Sequence, residues 1–155
     1  MKTNRMAFVA AALWLVAVVA TFAASAHLGT WKLNESKSKL SLGAKNTSVT
    51  YTEGKSGEMM LTVEGVDKDG KPVEWTWEGK FDGKPHKMKG SEVGDKMAVK
   101  TVDDHTNELT IMKDGKVVMT GTVTVAKDGK SRVVKTTMTD ANGKKHTDKA
   151  YYDKQ

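Results

Sequence analysis

Val73-Glu74-Trp75-Thr76-Trp77-Glu78-Gly79-Lys80-Phe81 is the stretch that decides the fold. Val73, Trp75, Trp77 and Phe81 share one face of an extended chain, while Glu74, Thr76, Glu78 and Lys80 take the other. Side chains alternate across a strand with a period of two, so this reads as a strand with one buried and one solvated face. Met59, Leu61 and Val63 alternate with Thr62 and Glu64 in the same way. Further strands are expected over 29–34, 46–53, 84–90, 95–102, 106–113, 115–126, 130–140 and 144–153. No amphipathic helix pattern follows residue 27, and Glu35 to Leu42 has room for one short helical turn at most.

Between the strands one turn signal recurs. Asp69-Gly70-Lys71, Asp82-Gly83-Lys84, Asp114-Gly115-Lys116, Asp128-Gly129-Lys130 and Asn142-Gly143-Lys144 all fit it. Asp-Gly and Asn-Gly are favoured centres of tight hairpins because glycine, and less readily Asp or Asn, accepts the positive φ that a right-twisted hairpin needs. Five hairpins are therefore expected. The last three of these glycines lie 14 residues apart, a spacing that evenly spaced antiparallel strands explain as well as an internal repeat would. The fold class is all-β: an antiparallel up-and-down meander of about ten strands. A meander that long gains by closing on itself, since closure removes exposed edges. A small antiparallel barrel is the first expectation and an open or half-open sheet the second.

The ends of the chain bear on its compartment. Lys2 and Arg5 precede an apolar run from Met6 to Phe22, which leads to Ala23-Ala24-Ser25-Ala26. A charged start, an apolar middle and small residues at the exit make a secretory signal over 1–26, cleaved after Ala26, with one domain over 27–155. The competing reading is an uncleaved anchor, because this run of 17 residues, broken only by Thr21, approaches the roughly 20 that span a bilayer. The exit residues favour cleavage, so the product is expected in the periplasm or outside the cell with no stable membrane anchor. There is no cysteine, which excludes a lipid anchor on a thiol, a disulfide framework and thiolate metal sites. Net charge is +6, or +4 once Lys2 and Arg5 are removed. The remaining lysines are dispersed among turns and acids, so no nucleic-acid stripe is formed.

Leu28-Gly29-Thr30-Trp31-Lys32-Leu33-Asn34 resembles the Gly-x-Trp opening of the lipocalin and fatty-acid-binding (calycin) superfamily, and Tyr151-Tyr152-Asp153-Lys154 is similar to the closing strand of fatty-acid-binding proteins. With Lys37-Ser38-Lys39 and the Asp-Gly-Lys turns, the chain from His27 onward looks most like a group of small exported bacterial proteins described as lipocalin-like. The resemblance implies a barrel in which Trp31 plugs the closed end. It also implies an arginine of a late strand stacked on that tryptophan. Arg132 is the only arginine after Arg5, and an exposed Arg132 is the alternative. Such a cation–π contact is worth roughly 0.5–2 kcal/mol. Two features of fatty-acid-binding proteins are missing. The segment Glu35 to Lys45 is too short for their helical lid, and Ala150 stands where their Arg-x-Tyr unit has arginine.

Trp31, Trp75, Trp77, Phe81, Arg132 and Tyr152 are the candidate ligand-binding residues. Trp75, Trp77 and Phe81 would line an apolar cavity with Trp31 closing its base. Ordinary core filling accounts for the same alternation. No catalytic set emerges: a Gly-x-Ser-x-Gly elbow is absent, and Asp103-Asp104-His105 reads as a turn. His27, His86, His105 and His146 lack metal-ligand spacing, and the scattered methionines read as core filler, so neither metal nor cofactor is expected. Asp67 and Asp69 fall in a hairpin turn without the closing Glu of a calcium loop. The expected function is binding of a small apolar or amphipathic ligand. The alternative is a structural or protein-interaction module of the cell envelope with a solid core.

Overall fold

The computed structural model describes residues 26–155. The expected export signal, apart from Ala26, lies outside the described residues. Ten strands follow: β1 (Gly29–Leu33), β2 (Lys45–Glu53), β3 (Met59–Val66), β4 (Pro72–Gly79), β5 (His86–Lys89), β6 (Lys96–Thr101), β7 (Thr106–Lys113), β8 (Lys116–Val125), β9 (Ser131–Thr139) and β10 (Lys145–Lys154). Each pairs antiparallel with the next, and β10 returns to β1 through Trp31↔Lys154 and Leu33↔Tyr152, so the barrel is closed. The expected helical turn after β1 is a single 3₁₀ turn at Glu35–Lys37, capped by the Asn34 side chain.

Only one of the five Gly-centred turns is the tight type expected. At Asp114-Gly115 both residues have positive φ, 51° and 76°, and two residues join β7 to β8. Elsewhere the glycine alone takes positive φ, and a carboxylate placed before it holds the backbone. Asp67 Oδ1 accepts the amides of Asp69 (2.8 Å) and Lys71 (2.9 Å), and Asp140 Oδ1 those of Asn142 and Lys144 (both 2.9 Å). A side chain that mimics the turn carbonyl removes the need for a second positive φ. The Asp82-Gly83 pair departs furthest, lying in a longer loop whose Gly83 N–H reaches the Val99 carbonyl at 2.8 Å.

Strand parity carries the sequence pattern into three dimensions. Val49, Val63 and Trp75 stand in one register row across β2, β3 and β4, and Tyr51, Leu61 and Trp77 in the next. These rows face the interior, where Trp31, Val63 and Trp77 are among the most completely buried side chains. Met59, Met88 and Met97 fill gaps in this core, as flexible thioethers commonly do. The wall is thinnest at β5, which shares two register pairs with β4 (Thr76↔Lys89, Trp77↔Met88) and two with β6 (His86↔Met97, Lys87↔Lys96). Gly79 has to lack a side chain here, because a Cβ would lie 2.6 Å from the His86 ring and from Trp77.

Candidate functional site

The interior divides into a filled base and an accessible mouth. The base is the end where β1 enters and where the β2–β3, β4–β5, β6–β7 and β8–β9 connections lie. Trp31 is fully buried there and its indole N–H donates to the His27 carbonyl at 2.8 Å. The Arg132 guanidinium lies 5.0 Å from the Trp31 ring centre, 5.3 Å from Tyr51 and 4.8 Å from Tyr152. Phe81 stacks on Trp77 (6.3 Å, 23°) and meets Tyr51 edge-on (6.4 Å, 82°). The Trp77 N–H donates to the Met97 carbonyl at 2.9 Å. The His27 ring inserts between Tyr51 (6.1 Å) and Phe81 (6.0 Å).

Burial sets the electrostatics of this base. The Tyr152 hydroxyl donates to the Asn46 carbonyl at 3.0 Å, and desolvation pushes its pKa up to about 12 against a smaller opposing pull from Arg132. His27 is lowered to about 4, first by burial and then by the charges of Arg132, His105 and Lys154. A buried cation or imidazole ordinarily finds a partner for each polar atom. Here Arg132 Nε and Nη1, both ring nitrogens of His27 and Nδ1 of His105 are buried with none.

Toward the mouth the inward positions change character. Leu33, Trp75, Leu109, Met119 and Val134 pack against the core but keep partial exposure. Met138, across from Met119 in the register of β8 and β9, is likewise half-buried. These side chains occupy the inward parity of their strands, so their accessible surface lies inside the barrel wall. At the rim His146 pairs with Asp140 at 2.8 Å. Ser41 closes one side, its N–H and hydroxyl both donating to Asp148 Oδ1 at 2.7 and 2.6 Å.

Five of the six residues singled out from sequence therefore meet at the base: Trp31, Trp77, Phe81, Arg132 and Tyr152. Trp75 stands apart, two residues closer to the mouth on β4. Arg132 lies over Trp31 rather than on the surface. Along β10 itself no arginine stands beside Tyr152, since Ala150 occupies the position two residues before it. The partner comes from the neighbouring strand, where Tyr152↔Arg132 is a register pair. Tyr51 is absent from the residues singled out by sequence, and His27 is weighed there only as a metal ligand. The Val49–Tyr51 alternation could have found the first, whereas nothing local points to a buried His27. Asp103-Asp104-His105 is the expected turn, its Asp103 Oδ1 accepting the His105 amide at 2.9 Å. Asp67, passed over as a calcium ligand, uses its carboxylate on backbone amides. Among the described residues no group of three His, Asp or Glu is positioned for a metal ion.

No protein-family model matches the chain, and no curated protein matches it by sequence. Solved structures do match in fold. A point mutant of the fluorescent protein UnaG is 17% identical, covers 84% of this chain and 97% of its own, and superposes with a TM-score of 0.56. Wild-type UnaG is 17% identical with 83% and 96% covered and a TM-score of 0.54. EF1p2_mFAP2b, in a structure bound to DFHBI, is 12% identical with 88% and 99% covered and a TM-score of 0.51. At these identities the likeness is one of fold alone.

Proposed function

We propose that this chain is an exported binding protein that holds a small apolar or amphipathic molecule in the mouth half of its barrel. The observation that carries this reading is the partial exposure of apolar side chains on the inner wall: Leu33, Trp75, Leu109, Met119 and Val134. Apolar surface left accessible in a concave wall is the usual ground of a small-molecule site. Trp75 is the contact that matters most, since among the described residues Trp31 and Trp77 are already buried against other side chains. A structure of like fold holds the small molecule DFHBI, which agrees with binding as a use of such a barrel. The Lys2/Arg5 start and the Ala24-Ser25-Ala26 exit support export to the periplasm or beyond.

Titration of the purified protein with a fatty acid, a quinone and a planar aromatic chromophore tests the binding. Trp emission should shift saturably with at least one of them, and Trp75→Ala should abolish the response while leaving the barrel folded. Fractionation of producing cells tests the compartment, with the periplasmic or secreted product expected to begin at His27. A full-length product retained in the cytoplasm would end the export reading. The solid aromatic base favours a second reading, a structural or interaction module of the envelope without a small ligand. An unchanged emission and melting temperature across the whole panel would select it.

A further inference from the structure

We infer that the base of the barrel holds one small oxyanion, bound by the Arg132 guanidinium together with the rings of His27 and His105. This group of side chains does not include Trp75, which stands two residues closer to the mouth on β4 than Trp77, so either site can fail without the other. Arg132 is 2% exposed and His27 fully buried. No ion pair among the described residues includes Arg132, and its Nε and Nη1 have no acceptor. Both His27 ring nitrogens and His105 Nδ1 also lack partners. A guanidinium removed from water without a counter-charge is strongly unfavourable. The faces of Trp31, Tyr51 and Tyr152 offset part of that through their ring quadrupoles. A ring face gives weak acceptance at best, so the in-plane N–H groups of Arg132 still need oxygen lone pairs. An oxyanion supplies both the charge and the acceptors.

An open depression of about 610 Å³ at the base is lined by His105, Thr106, Thr124, Val125 and Lys127, together with the Val102–Asp104 turn. Val125 is the register partner of Arg132, and its amide donates to the His105 carbonyl at 2.8 Å. His105 thus borders the depression and acts electrostatically on His27. Of the two acids in the lining, Asp103 accepts the His105 amide, and Lys127 stands on the same rim. The Lys154 ammonium, 5.1 Å from the Trp31 ring centre, adds a second positive charge beside Arg132, so a singly or doubly charged anion suits the site.

The test uses the purified full-length protein at pH 7 in HEPES, with ionic strength held by a bulky sulfonate salt. Acetate, inorganic phosphate and chloride are titrated separately while the melting temperature is followed. A saturable rise of roughly 3–8 °C at tenfold excess over Kd is expected for acetate or phosphate. That rise should vanish in Arg132→Met and need about tenfold more anion in His105→Ala, a loss in line with one charge-assisted contact. Acetate alone would identify a carboxylate-bearing ligand, and phosphate alone an inorganic or esterified oxyanion. The Arg132 Nε–H resonance, readily assigned because Arg5 is the only other arginine, should move with the same midpoint, which keeps the test decisive if Arg132→Met fails to fold. An unmoved resonance, or a rise that is unsaturable, equal in chloride or intact in Arg132→Met, overturns the inference.

Discussion

Trp75 and Trp77 sit two residues apart on one strand face, yet their replacement by alanine should have opposite kinds of consequence. Trp77 is 2% exposed, stacked on Phe81, met edge-on by His86 at 5.9 Å and tied to the Met97 carbonyl. Trp77→Ala opens a cavity among buried neighbours, which costs about 3–5 kcal/mol. It also orphans the Met97 carbonyl, worth roughly another 1 kcal/mol. Against a total of about 5–15 kcal/mol, the variant should be barely folded at 37 °C, its melting temperature lowered by roughly 15 °C or more. Trp75 is only partly buried, so Trp75→Ala should cost about 1–2 kcal/mol and leave a folded barrel. Urea unfolding followed by far-ultraviolet circular dichroism measures both, and an unchanged m-value shows that the same transition is compared. Trp77→Phe is a control that keeps most of the packing and should recover at least half of the loss. A Trp77→Ala protein melting within about 3 °C of the parent would refute the filled base, since a cavity of that size cannot be so inexpensive. If that variant also lost ligand response, Trp77 would be cavity wall and the division of the interior would be wrong.

Three further outcomes follow from the same geometry. Unfolded chain takes up a proton on His27 near pH 6.5, whereas the folded barrel resists until about pH 4, so stability is whole above 6.5 and falls by about 3 kcal/mol as pH drops to 4. His27→Gln should flatten that fall, read from urea midpoints at pH 4.5 and 7.5; equal slopes in both proteins would refute it. Asp140 is held below its ordinary pKa, first by the His146 hydrogen bond and then by the Lys144 and Asn142 amides, so its contribution is present above the ordinary carboxylate range and lost as pH falls through the lowered value. Asp140→Ala should speed hydrogen exchange at the Asn142 and Lys144 amides near pH 7 and make no difference in strong acid. Gly79→Ala forces a methyl group into the His86 ring and Trp77, and should destabilise the barrel by about 1–3 kcal/mol with the thin β5 wall disturbed first, seen as faster exchange at Met88.

Much of the wall was legible because its signals are local. The Val73–Phe81 alternation records a backbone whose neighbours point to opposite faces, and that relation needs no knowledge of the rest of the chain. The turn glycines are legible for the same reason, since positive φ is a property of one residue. The turn type was less so. Whether Asp69-Gly70 closes tightly depends on Asp67 turning its carboxylate onto two amides, a choice made by a side chain two residues away. The base was legible only in part. Trp31 and Arg132 could be named as partners by resemblance, but the 100 residues between them give no distance.

The amino-acid sequence by itself determined an antiparallel meander of about ten strands and which side chains share a buried face, because strand period and turn propensity act within a few residues. Only the tertiary structure decided that the inward residues form two regions, a packed base around Arg132 and an accessible mouth at Trp75. That division depends on closure, which pairs β1 with β10 and sets the height of every register row along the barrel axis. Trp75 and Trp77 carry the same local signal, and they part because Phe81, His86 and the Met97 carbonyl close around Trp77 while Trp75 keeps partial exposure.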